Sequence, residues 1–151
     1  MAVSAQVYNH ILTEITAPTP QIDLSSDTLK VTLHTSSMTI DPSNTTFSAV
    51  SASELATGNG YTAGGQTITT QSFTRSGGIL TLDGDDIQWD ASGGDIGPAA
   101  YAVIRSTTSS DKLVAVVNFD GSQTAGDGTP FKITWATAGI LEIGTATALG
   151  V

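Results

Sequence analysis

The chain has 151 residues, no cysteine, and fourteen acidic side chains against five basic ones, for a formal charge of −9. That length sets one domain with a core that needs no staples, and the missing thiols exclude disulfides, thiolate catalysis and cysteine-based zinc sites. The charge excludes nucleic acid as a partner, because Lys30, Arg75, Arg105, Lys112 and Lys132 are scattered along the chain.

Taken in chain order, the opening residues MAVSAQVYNH lack the basic stretch and apolar core of a secretory signal. No apolar run approaches the roughly 18 residues of a helical membrane span, so no membrane partner is expected. Val3, Val7, Ile11 and Ile15 stand four apart, with Tyr8 and Leu12 beside them, so residues 3–16 read as one helix with an apolar stripe. Pro18 and Pro20 end it. The segment APTPQID can hold this helix away from the first strand. The chain then divides into an N-terminal helix or arm, residues 1–17, and a single β-sandwich domain, residues 18–151. On this division Val3, Val7, Ile11 and Ile15 are the candidate interaction residues; the competing reading packs them on the chain's own sheet.

From residue 28 the pattern turns to period two. Leu29, Val31 and Leu33 fall on one face, with Lys30, Thr32 and His34 on a face expected to be wet. A polar loop runs from Ser36 to Asn44, and the spacing of Ser51 and Glu54 predicts a short capped helical turn. Further strands are predicted at 66–74, 79–82, 86–90, 99–105, 112–119, 131–135 and 140–143, separated by glycine-containing turns. LVAVV (113–117) is apolar throughout, which predicts a central strand covered on both faces. The expected fold is mainly β: an antiparallel sandwich or jelly-roll-like domain with one N-terminal α-helix. Its predicted core includes Leu29, Val31, Leu33, Trp89, Val103, Val114, Val116 and Trp135.

Few residue patterns point to chemistry. The stretch ELATGNGYTAGGQTIT (54–69) is rich in glycine, but it leads into a strand and offers no lysine or helix N-terminus to a phosphate. It reads as turns that aim Tyr61 at its neighbours. Asp83, Asp85 and Asp86 are weak candidates for a cation site; an EF-hand count from Asp83 fails at Ile87 and Gln88, which leaves a D-G turn. No metal or cofactor is expected. His10 and His34 lie in no zinc-binding spacing, and no nucleophile elbow is present, so no enzymatic activity is expected. The aromatic residues at strand positions read as core.

Several segments in order carry a resemblance. After the N-terminal helix come DTLKVTL (27–33), ELATGNGYTAGGQTI (54–68), LDGDDIQWDAS (82–92), AAYAVIR (99–105), KLVAVVNFDG (112–121) and FKITWATAGILEI (131–143). Together they resemble a family of small virion proteins of tailed bacteriophages. The resemblance implies a capsid decoration or cement protein with a β-sandwich body, made in the host cytoplasm and placed on the outer surface of the virion. The implied partners are the major capsid protein and further copies of the chain, a trimer being favoured. A neck or tail component is the first alternative, and a carbohydrate-binding adhesion module is the second. An exposed Trp89–Trp135 pair would favour the last, and burial of both would favour the structural role.

Overall fold

The computed structural model describes residues 4–17 and 21–144. In chain order the described residues form β1 (Ser4–Val7), α1 (Ile11–Thr16), β2 (Leu29–His34), β3 (Gln66–Thr67), β4 (Ser72–Ser76) and β5 (Ile79–Asp83). Next come β6 (Ile87–Asp90), β7 (Ile96–Ser106), β8 (Lys112–Ala125), β9 (Pro130–Ile133) and β10 (Leu141–Gly144). Short 3₁₀ turns stand at Phe47–Ala49 and Ser51–Ser53. The strands make a five-stranded sheet in the order β1-β8-β7-β2-β3, a three-stranded sheet β10-β5-β4, and the pair β6-β9. Every strand pairing is antiparallel. The protein is therefore mainly β, antiparallel and sandwich-like, with one short helix near its start.

Pairing registers define the faces of the large sheet. One row across it holds Ala5, Val117, Ala102 and Leu33; the next holds Val7, Ala115, Ile104 and Val31. Ala5 at the sheet edge is exposed and Val7 is partly buried. The other six share a single buried cluster with Leu82, Ile87, Trp89, Phe131 and Ile133 of the smaller sheets. Each fully buried Leu, Val or Ile there contributes about 1.5–3 kcal/mol of hydrophobic stabilisation. Of the predicted core, Trp135 alone is only partly buried, packed against the cluster's edge.

The opposite face departs from expectation. Thr32 and His34 are fully buried, not wet. The chain from 45 to 55 lies over this face and pins itself there by backbone bonds: Leu113 N to Thr45 O (3.0 Å), Phe47 N to Asp111 O (2.8 Å), Thr35 N to Ser53 O (2.9 Å) and Leu55 N to Leu33 O (2.9 Å). A cover supplied from distant sequence thus converts an alternating strand into one buried on both sides. LVAVV is likewise buried on both faces, although β7 is the central strand and β8 lies beside the edge strand β1.

The N-terminus also differs. Only Ile11–Thr16 is helical, and Ser4–Val7 is a strand paired with β8, from Ser4 opposite Asn118 to Val7 opposite Ala115. A helix over this stretch would leave the backbone of β8 unpaired, whereas a strand satisfies it, and an isolated helix this short gains little. α1 ends where Ala17 turns extended before Pro18. Tyr8 and Ile11 are buried in the common core, so β1 and α1 belong to the same body as the rest and are not a detached arm. The predicted strand 66–74 is also interrupted: β3 and β4 are separated by a bend in which Thr70 takes φ 52°.

Candidate functional site

The glycine stretch folds as a tight hairpin. Gly58 and Tyr61 exchange two backbone hydrogen bonds of 2.9 Å around Asn59 (φ 55°) and Gly60 (φ 95°), the left-handed pair that a two-residue turn requires. A Cβ on Gly60 would lie 2.0 Å from Asp90 O, and one on Gly65 would lie 1.9 Å from Val31 O. These glycines permit close backbone packing. Tyr61 is buried; its hydroxyl accepts from Leu33 N (3.1 Å) and donates to Glu54 Oε1 (2.8 Å). Gly64 N donates to the same Glu54 oxygen at 2.6 Å. Burial, more than the adjoining carboxylate, pushes the Tyr61 phenol well above its ordinary range. The predicted capping role of Glu54 is replaced: its carboxylate holds the glycine turn at Tyr61 and Gly64, the Tyr61 hydroxyl carries the link on to Leu33 of β2, and Val50 precedes the Ser51–Ser53 turn without a side-chain cap.

The acidic turn spreads its carboxylates apart. Asp83 Oδ1 accepts from Gly84 N at 2.9 Å. Asp85 Oδ2 accepts from the hydroxyls of Thr69 (2.8 Å) and Thr70 (2.6 Å), which lower its pKa, Thr70 most. Asp86 pairs with Lys132 at 2.9 Å and accepts from Trp135 N at 3.1 Å, and these two partners lower its pKa in that order. Among the described residues no three His, Asp or Glu side chains come together as a ligand set. The turn acts as a brace joining three separate segments of chain.

His34 sits at the centre of the covered face. The Ser53 hydroxyl donates to Val50 O (2.7 Å) and so accepts from His34 Nδ1 (3.0 Å); Nε2 then accepts from the Thr32 hydroxyl (2.8 Å). Burial lowers the pKa of this imidazole to about 4. The Phe47 ring meets His34 edge-on at 5.8 Å and carries the Arg105 guanidinium 4.2 Å from its centroid. Arg105 also pairs with Asp111 and donates to Gly64 O (3.2 Å). His10, beside Glu14 and Lys112, has its pKa lowered chiefly by burial. Sequence reasoning missed this arrangement and the Asp27 cluster, in which Oδ2 accepts from Ser106 (2.7 Å) and Ser109 (2.5 Å). The S-x-x-S spacing at 106–109 is the only local trace of the latter.

The remaining candidates separate by depth. Trp89 is buried between Tyr61 and Phe131, with ring centroids 5.6 and 6.3 Å away. Trp135 is partly buried, donates from Nε1 to Asp85 O at 2.9 Å, and lines a cleft of about 450 Å³ with Ala5, Val117, Phe119, Ile133 and Ile140. The two tryptophans therefore do not form an exposed pair. Of the four predicted interaction residues, Val3 lies outside the described residues, Ile11 is fully buried, and Val7 and Ile15 pack partly buried against the core. Leu12, beside that stripe, is 54% exposed at the rim of a second cleft of about 350 Å³ that Val7 and Ile143 also line. The acids, histidines and aromatic residues singled out in the sequence thus serve turns and layers and do not converge on one point. No family model, curated protein or solved structure matches this chain.

Proposed function

We propose that the chain is a structural subunit of a tailed-bacteriophage virion, a decoration or cement protein that binds the major capsid protein on the outside of an assembled head. The observation that carries this reading is the use made of the reactive side chains. Glu54, Asp85, Asp86, His34 and Arg105 are each engaged in bracing the body. A stiff, strongly acidic β body suits repeated attachment to a shell, and its charge of −9 favours a position away from packaged DNA. The ordered resemblance of the segments supplies the virion context. A standard contact of about 800 Å² per partner suffices for specific binding, and many modest contacts sum over a shell. Binding that exists only on the mature shell stabilises that state by mass action.

The test compares virions with and without the protein, following DNA release during heating. Earlier release from depleted heads, reversed by adding the purified protein back, is the expected result. Unchanged release at full occupancy would overturn the cement role, and density on the tail alone would overturn the head position.

A further inference from the structure

We propose that the outer edge of β1 is a two-fold contact at which a second copy of this chain adds its own β1, continuing the large sheet across a dimer. Exposed sheet edges invite pairing, and folded proteins blunt them with charge, proline or shortness. The other edges among the described residues obey that rule. β4 carries Arg75, β6 Asp90, β9 Pro130 and Lys132, β10 Glu142, and β3 has two residues. β1 reads Ser4-Ala5-Gln6-Val7, with no charge and no proline, and its first three residues are exposed. On a chain of charge −9, an uncharged edge is where two copies approach with least repulsion.

The geometry permits self-pairing in one register. Tyr8 N–H donates to Val114 O, toward β8, at 3.2 Å. Backbone direction alternates along a strand, so Ser4 and Gln6 also turn toward β8, while Ala5 and Val7 present N–H and C=O outward. An antiparallel pair of β1 strands about an axis beside Gln6 sets Ala5 opposite Val7 of the second copy, and the reverse by symmetry. Both outward residues are satisfied in each copy, and Gln6 faces its own equivalent. A two-fold contact requires such a self-complementary patch. The exposed Leu12 and the cleft it shares with Val7 and Ile143 flank the strand and supply apolar surface, with Glu142 the one charged residue at that cleft. This contact goes beyond the capsid reading and is measured on the purified chain alone.

The test is sedimentation of the full chain over a range of concentrations, with charge placed on the axis. The wild type is expected to dimerise. Gln6→Lys and Gln6→Glu, each opposing like charges, should weaken the dimer roughly tenfold or more. An equal mixture of the two should restore it, which misfolding of either variant would not do. A wild type that stays monomeric, a trimer, or a dimer unaffected by both variants overturns the proposal. So does failure of the mixture to pair when both variants keep the wild-type circular dichroism and melting transition.

Discussion

Gly65 and Gly77 both take positive φ, at 72° and 57°, yet they meet different surroundings. A side chain at Gly65 collides with the Val31 carbonyl, whereas one at Gly77 meets nothing within 4 Å. Gly77→Ala is expected to cost about 1 kcal/mol, the backbone preference alone, and Gly65→Ala upwards of about 3 kcal/mol, read by chemical denaturation. His34 makes a second prediction. Its pKa falls from 6.5 to about 4 on folding, so between those values the unfolded chain binds the proton that the folded chain refuses. Stability is therefore fully present above pH 6.5 and is lost as pH falls toward 4, by about 3 kcal/mol in all. His10, also lowered, adds to the same slope, while the lowered carboxylates Asp85 and Asp86 act at more acid pH. Denaturation at stepped pH should show the slope, and His34→Gln should flatten it.

At the scale of elements, α1 offers a direct comparison, because Ile11 and Leu12 are neighbours with opposite fates. Ile11→Ala is expected to cost about 2–5 kcal/mol through the cavity it leaves, and Leu12→Ala less than about 0.5 kcal/mol, measured by thermal or chemical unfolding. Equal costs would show that the helix does not pack as described. The strands with strong alternation or continuous apolar character were legible in the sequence: Leu29, Val31 and Leu33 must face a core, and LVAVV has no polar side to offer water. β1 was not, because the four-residue spacing from Val3 to Ile15 satisfies a helical period while Ala5 and Val7 satisfy a strand period equally well. The pairing with β8 decides between them, and that pairing is remote in sequence. The buried side of β2 was hidden for the same reason, since its cover comes from residues 45–55. The glycine turn was legible because Asn59-Gly60 is itself a turn signal; the partners of Glu54 and Arg105 were not, because no local pattern names them.

For the molecule as a whole, part of the bracing runs between segments far apart in the chain, from Asp27 to Ser106 and from Glu14 to Lys112. Cohesion of this kind rests on packing and on many satisfied polar groups, with no single centre. The pairing of the first strand with the eighth has a further consequence, which concerns birth on the ribosome. Asn118 lies 114 positions after its partner Ser4. At about 5–20 residues per second, the earlier of the two segments waits roughly 6–23 s for its partner to be made. It is thus the earliest part of the described chain to be synthesised and among the last able to take its native place. Of the large sheet only β2, β3 and β7 are made before β8 and can pair while β1 waits, and the non-local closure that β8 brings is of the kind that makes β proteins slow to mature.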